Sequence, residues 1–158
     1  MLERAVMDSP LGPLHLTARD GALVALDWDT PEAPSDPEAL PEMRAQLSAY
    51  FDRRLTRFDI ALAPDGTTFQ KAVWQALTDI PHGETRSYAD IARAIGKPGG
   101  TQAVGQANGR NPIPIVIPCH RVVATGGGIG GFSGGLGRKR RLLALEGAVF
   151  EAEQPRLL

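Results

Sequence analysis

The stretch Asn111-Pro112-Ile113-Pro114-Ile115-Val116-Ile117-Pro118-Cys119-His120-Arg121-Val122 contains the only cysteine of the 158 residues, and a histidine follows it directly. Proline fixes φ and lacks a backbone donor, so the three prolines exclude a helix and favour extended geometry before each of them. The apolar run between the second and third prolines suits a strand buried on both faces. We therefore expect a stiff, buried strand that delivers Cys119 to one fixed place, with an inert core thiol as the alternative.

The composition predicts a globular chain without disulfides. Apolar residues make up 42% of the sequence, enough for the core of one compact domain or two small ones. A single cysteine excludes an intramolecular disulfide and favours a reducing compartment, so we expect a cytoplasmic protein. No cysteine or histidine pair has the spacing of zinc ligands, so no metal is expected. Neither a secretory signal nor an apolar run of membrane-spanning length is visible, so we expect no membrane association.

The net charge of −1 hides two regions of opposite sign. Residues 1–65 contain six basic and twelve acidic residues, whereas residues 66–147 contain ten basic and four acidic ones. The sign changes at Ala63-Pro64-Asp65-Gly66, which is a turn signal. We therefore predict two domains, residues 1–65 and 66–158. The basic region indicates a polyanionic partner for the second domain.

The first domain is predicted to contain antiparallel strands and one helix. Turn signals separate apolar or alternating runs, which favours a meander. Residues 30–41 hold four prolines and predict an exposed loop, which a helix over residues 40–51 follows. The strands are expected at residues 2–7, 14–17, 23–28 and 58–62.

The second domain is predicted to begin with three helices. Apolar residues at helical spacing predict a helix over residues 67–80 with a threonine cap, then a helix capped by Ser87. A glycine-containing break at residues 96–100 precedes a short third helix over residues 101–108. This order is typical of a helix-turn-helix motif that binds DNA, and an ordinary helical hairpin has the same pattern.

The third helix contains no arginine or lysine, which is unusual for a DNA reader. Its small residues Ala103, Gly105 and Ala107 would let the backbone approach DNA closely, as a narrow minor groove requires. Tight packing against neighbouring helices would explain the same residues. Gln102 and Asn108 have side chains that can hydrogen-bond to bases.

A glycine-rich segment follows the cysteine stretch. Eight of the thirteen residues 125–137 are glycine, so backbone amides there can approach a ligand closely. A flexible connector is the alternative. A last helix is predicted to begin at the basic run 138–141, which is expected to be a solvated face that can also contact phosphate.

A reactive role for Cys119 requires a base, because the thiolate is the nucleophile. His120 is adjacent, but neighbouring side chains of an extended segment point to opposite faces, so a bridging water or a bend is needed. A carboxylate would orient His120, and the residues alone leave Glu84, Asp90 and Glu146 as candidates.

At these residues the chain resembles the O6-alkylguanine-DNA alkyltransferase family, most specifically in Pro118-Cys119-His120-Arg121-Val122. The resemblance is strong over residues 66–147, whereas residues 1–65 fit only in length and strand content. The other matching motifs are Gly66-Thr67-Thr68-Phe69-Gln70, Val73-Trp74, Pro81-His82-Gly83-Glu84-Thr85, Ser87-Tyr88, Ala103-Val104-Gly105, Asn111-Pro112 and Leu142-Leu143-Ala144-Leu145-Glu146-Gly147.

The resemblance implies an α+β fold, with a small ribonuclease-H-like N-terminal domain before a mainly helical, winged-helix-like DNA-binding domain. It implies that a monomer binds the minor groove of double-stranded DNA and flips out an O6-alkylguanine, since the target atom is inaccessible in a stacked duplex. The alkyl group then moves irreversibly to Cys119, so that each molecule acts once. No cofactor is implied.

The resemblance also implies roles for single residues. Cys119 is the nucleophile, His120 acts through a water, and Glu146 orients His120. Asn111 holds the turn around the cysteine, and Tyr88 assists flipping and contacts the base. The Ser133 backbone N–H would bond the guanine O6, and the Cys119 and Val122 carbonyls would accept from the exocyclic amine. The implied substrate and DNA contacts are Thr101, Gln102, Ala103, Gly105, Arg121, Val122, Phe132, Ser133 and Gly134.

Three positions depart from the family pattern. Gln102 stands where the family usually has an arginine that is inserted into the base stack, so it is expected to hold the gap less well or to pair with the orphan base. Phe132 replaces a tyrosine of some members, and the N-terminal cysteines of the zinc-binding members are absent. A non-catalytic damage-binding protein and a helix-turn-helix regulator are the competing hypotheses.

Overall fold

A computed structural model describes residues 1–28, 36–126, 128–132 and 134–148. The chain divides into two compact units. The first consists of Met1–Asp65 together with Pro112–Pro114, and the second of Gly66–Asn111 and Ile115–Leu158. Residues 30–35 of the loop predicted at residues 30–41 lie outside the described residues.

The first unit contains the predicted antiparallel meander. Its strands have the order β1-β2-β3, and inward residues of the central strand, such as Leu14 and Leu16, are almost fully buried. Leu16 lies opposite Ala5 on one side and Leu26 on the other. The strands are β1 (Leu2–Met7), β2 (Leu14–Arg19) and β3 (Ala22–Asp27).

Helix α1 spans Pro41–Phe51, within the predicted range of residues 40–51, and it buries Leu47 and Tyr50. The predicted strand at residues 58–62 is wrong, because only Leu62 forms an isolated bridge, to Leu23. The backbone N–H and carbonyl of Asp59 instead bond to the Gln46 side chain, at 2.8 and 2.9 Å. A side chain of α1 therefore takes up the groups that a neighbouring strand would need.

The second unit is mainly helical, and both of its predicted caps are confirmed. Thr67 and Ser87 each accept from the backbone N–H three residues later, in reciprocal capping boxes. A short parallel pair joins β4 to β5. The elements are α2 (Thr68–Thr78), β4 (Arg86–Ser87), α3 (Tyr88–Ala94), α4 (Thr101–Gly109), β5 (Val122–Val123) and α5 (Leu136–Leu145).

The segment before Cys119 is buried as expected, but the predicted strand is wrong. Residues 114–116 form a turn, and Cys119–Arg121 form one turn of 3-10 helix. Ile115 is fully buried with φ +74°, in the left-handed region that a β-branched residue rarely adopts. Asn111 Nδ2 donates to the Ile117 carbonyl at 2.7 Å, which closes the segment as a loop. Burial and this bond offset a backbone strain of roughly 1–3 kcal/mol.

None of the helices in the described part of the chain combines the length and apolar character that a membrane span requires.

Replacing Thr67 with alanine should lower the free energy of unfolding by about 1 kcal/mol, because the Gln70 backbone N–H in the first turn of α2 loses the Thr67 Oγ1 acceptor. Urea unfolding followed by circular dichroism measures the loss. Thr68→Ala is the matched control, since Thr68 is exposed and makes no capping bond. Equal losses in the two variants would contradict the importance of the capping box.

Candidate active site

Cys119 begins the 3-10 turn and is 1% exposed. Burial raises the pKa of its thiol to about 11, although a hydrogen bond from the Asn111 side chain and the positive charge of Lys139 oppose the shift. The thiol is therefore neutral near pH 7. It needs a base before it can act as a nucleophile.

His120 is fully buried and its Nε2 lies 2.8 Å from Glu146 Oε2. An ionised carboxylate only accepts, so Nε2 carries the hydrogen and Nδ1 keeps its lone pair. That Nδ1 has no hydrogen-bond partner among the described residues. Burial lowers the pKa of His120, while Glu146 opposes the shift. The result is a neutral imidazole that can accept a proton at Nδ1.

The structure selects one of the three carboxylates that the residues left open. Asp90 accepts from the Ser87 backbone N–H at 2.9 Å and so belongs to the cap of α3. Glu84 pairs with Arg86 at 3.1 Å. Glu146, directly after α5, is the carboxylate that contacts His120.

Arg121 is placed differently from the expectation that it contacts DNA. It is 6% exposed, and all three of its guanidinium nitrogens donate within the protein. Nε and one terminal nitrogen bond the two oxygens of Glu146, at 2.8 and 3.0 Å, and the other bonds the Ile80 carbonyl at 2.6 Å. Burial raises the pKa of Glu146, but the hydrogen bond from His120 and the hydrogen bonds and charge of Arg121 outweigh it and hold that pKa well below its usual range.

Lys139 is a site residue that the sequence analysis missed, because it lies in the basic run expected to be solvated. The residue is fully buried. Its Nζ donates to the Val122 carbonyl at 2.6 Å and to the Gly131 carbonyl at 2.9 Å. Burial lowers the pKa of Lys139 to about 8, and the charge of Cys119 acts in the opposite direction. The ammonium thus ties the glycine-rich segment to the backbone that follows the thiol.

Tyr88, the first residue of α3, contacts the same segment. Its hydroxyl oxygen accepts from the Gly131 N–H at 3.3 Å, so Tyr88 and Lys139 hold the two sides of Gly131. Gly130 has φ +71°, and a Cβ there would lie 2.9 Å from the Tyr88 oxygen. Burial raises the pKa of Tyr88, which keeps its hydroxyl protonated near neutral pH.

Two family models match this chain. The DNA binding domain of 6-O-methylguanine DNA methyltransferase matches residues 68–148, and the ribonuclease-like domain matches residues 2–64. The chain belongs to the 6-O-methylguanine DNA methyltransferase family. The α+β fold with two domains, expected from the sequence, is the fold of this family.

Individual relatives agree along nearly the whole chain. The methylated-DNA–protein-cysteine methyltransferase of Mycolicibacterium paratuberculosis is 50% identical over 153 residues, which cover 92% of this chain and 93% of that protein. The enzyme of the same name from Methanosarcina barkeri is 47% identical over 149 residues, covering 89% and 94%. The crystal structure of Mycobacterium tuberculosis OGT in complex with DNA superposes with a TM-score of 0.87 at 47% identity, covering 92% of each chain.

Four of the predicted site residues lie on helix α4. Thr101, Gln102 and Ala103 are exposed on its first turn. Gly105 faces the Tyr88 ring, where a Cβ would make an ordinary contact at 3.9 Å. Ala107 is buried, and its carbonyl accepts from Trp74 Nε1 at 2.9 Å. The small residues therefore divide between an exposed face and helix packing.

The other predicted substrate contacts are Val122 and residues of the glycine-rich segment. Phe132 is half-buried and Gly134 is buried. The Val122 carbonyl is present at the site but already accepts from Lys139. Ser133 lies outside the described residues.

The lowered pKa of Lys139 gives a testable pH dependence. An unfolded lysine titrates near pH 10.5 and the folded one near 8, so between these limits the unfolded state binds more protons. Stability from Lys139 is therefore present above the upper limit and lost as the pH falls through about 8.

The stability of the wild type relative to Lys139→Met should rise by about 2–3 kcal/mol from pH 8 to pH 10.5. Urea unfolding of both proteins across this range measures it. A second comparison in a Cys119→Ala background removes the opposite contribution of Cys119, whose raised pKa lowers stability above about pH 9 and depends on the Lys139 charge. A difference that does not change with pH would mean that Lys139 is not desolvated.

Proposed function

We propose that this chain is a methylated-DNA–protein-cysteine methyltransferase in which Cys119 receives the alkyl group of an O6-alkylguanine. One observation carries the proposal: the only cysteine is buried beside a His120–Glu146 pair and the Lys139 ammonium. The family to which the chain belongs supports the reaction, and relatives named for it share about half of their residues with the chain.

In the proposed reaction, His120 Nδ1 takes the thiol proton of Cys119 through a water. The Glu146 carboxylate stabilises the imidazolium that forms, because it already accepts from Nε2. The thiolate attacks the alkyl carbon, an S–C bond forms, and the C–O6 bond breaks. Its electron pair leaves with the guanine, which takes up a proton. The thioether has no route back to a thiol in this chain, so each molecule acts once.

The guanine is proposed to be recognised by backbone and by Tyr88. The Cys119 and Val122 carbonyls accept from the exocyclic amine, and Lys139 fixes the orientation of the second carbonyl through its short hydrogen bond. A carbonyl has two lone pairs, so that bond leaves one for the substrate. The Tyr88 hydroxyl stabilises the charge that develops on the departing guanine.

DNA is proposed to bind along the exposed start of α4, through the minor groove. The helix has small or uncharged side chains there, so its backbone can come close to a narrow groove. The target base must leave the stack before it can reach a buried thiol. Gln102 would occupy the gap that remains. A relative of known structure was solved in complex with DNA, which supports this partner.

We assign the chemistry and the DNA contacts to the domain of residues 66–158. The domain of residues 1–65 contributes no proposed catalytic group. The free thiol requires a reducing compartment, so we propose that the protein works in the cytoplasm, as a monomer that needs no cofactor.

Incubation with duplex DNA containing O6-methylguanine should add one methyl group to the peptide that contains Cys119. Mass spectrometry of the digested protein measures it. Cys119→Ser is the control, and it should bind the DNA without gaining a methyl group because its hydroxyl is far less acidic than a thiol. DNA binding without methylation of the wild type would favour the non-catalytic damage-binding protein over the enzyme.

Gln102→Arg should speed repair of duplex DNA several-fold, since an arginine holds the gap with a longer, charged side chain. Single-turnover methyl transfer on duplex and single-stranded substrates measures the effect. Gln106→Arg is the matched control, because Gln106 is also exposed on α4 and the substitution adds the same charge one turn later. An equal gain from both variants, or on both substrates, would argue against a role for residue 102 in flipping.

A further inference from the structure

Arg121 contacts Glu146 with the geometry of a two-point ion pair. Its Nε lies 2.8 Å from Oε1 and one terminal nitrogen lies 3.0 Å from Oε2, the oxygen that also accepts from His120. The remaining terminal nitrogen is fixed by the Ile80 carbonyl. Parallel bonds of this kind fix the carboxylate in position and plane.

The ion pair with Arg121 also determines the charge of the Glu146 carboxylate. An arginine in a protein stays protonated, so Glu146 is ionised whether or not His120 carries a proton. With neutral His120 the buried Arg121–Glu146 pair has no net charge. A proton on His120 adds an uncompensated positive charge, with the Lys139 ammonium already close by. Charge without a partner is costly at a buried position.

Two kinds of group therefore act on His120 in opposite directions. The Glu146 carboxylate, at the end of α5, favours the imidazolium. Arg121 on the 3-10 turn and Lys139 on α5 oppose it, as does burial, which is the largest effect. Without Arg121, Glu146 would lose one of its two hydrogen-bonded cationic partners, and the pKa of His120 should rise.

We propose that Arg121 is a positioning residue for alkyl transfer, which holds the Glu146 carboxylate in place and keeps His120 a neutral base near pH 7. This inference rests on the proposed function for its consequence, since only a neutral His120 can take the thiol proton of Cys119. It assigns to the arginine after the Cys-His pair a role in the protonation state of the site. If Arg121 only held Glu146 in place, removing its positive charge would not change the protonation of His120.

Two substitutions of Arg121 separate its charge from its hydrogen bonds. Arg121→Gln keeps a donor for Glu146 but removes the charge, whereas Arg121→Lys keeps the charge and loses the two-point geometry. We expect the acid limb of the pH–rate profile of methyl transfer to move to higher pH in Arg121→Gln. Its rate should be about tenfold below the wild type at pH 6.5 and should converge with it above pH 8. Arg121→Lys should keep the limb of the wild type at a lower rate.

Nitrogen-15 NMR of the His120 ring tests the same inference without DNA. The wild-type ring should remain neutral at pH 7, and Arg121→Gln should show imidazolium at pH values where the wild type does not. Thermal unfolding of each variant establishes that it is folded. The inference is overturned if folded Arg121→Gln has the profile and ring protonation of the wild type. An imidazolium at pH 7 in the wild type overturns it even if neither variant folds.

The two proposals fail separately. If wild-type Cys119 gains no methyl group from DNA, the proposed function fails, and the ring protonation still decides whether Arg121 controls His120. If methyl transfer occurs and the ring protonation does not depend on the charge of residue 121, the function stands and the inference about Arg121 fails.

Discussion

The second unit depends on a single buried carboxylate. Glu146 follows the last turn of α5, where its two oxygens receive hydrogen bonds from His120 and Arg121 on the turn that begins at Cys119. Arg121 continues the connection to Ile80 after α2. Removing one partner of such a buried pair costs about 3–5 kcal/mol, because the other charge is left without compensation. The hydrogen bonds that stabilise this part of the fold therefore also position His120 as the base.

Burial has two opposed consequences at this site. It raises the pKa of Cys119 and lowers that of His120, so the thiol and the imidazole are both neutral at rest. The same exclusion of water strengthens each remaining electrostatic interaction, including those of Lys139 and Glu146 with the charges that form during transfer. In a site of this kind the thiol is unreactive at rest, and the thiolate forms only when the substrate is already bound.

Local signals in the sequence predicted the helices well. Thr67 and Ser87 form their caps within three residues, so the pattern and its partner lie side by side in the chain. Strand predictions failed where a side chain forms the hydrogen bonds that a neighbouring strand would otherwise form with the backbone. Asp59 bonds to Gln46, and the segment before Cys119 is closed by Asn111, which leaves Ile115 in a conformation that its residue type disfavours. Residue propensity predicts neither case, because each depends on one side-chain hydrogen bond, although the family resemblance did imply that Asn111 holds the turn around the cysteine.

The two cations of the site show where reading a sequence by charge misleads. Lys139 was assigned to a solvated basic run, yet it shares one face of α5 with Leu142, Leu143 and Glu146, at the spacing of three, four and seven residues that places side chains together. That spacing is a signal the sequence does contain. Arg121 offers no such signal, because its partners lie 25 and 41 residues away along the chain. Its change from an expected DNA contact to a buried partner of Glu146 follows from the tertiary fold alone.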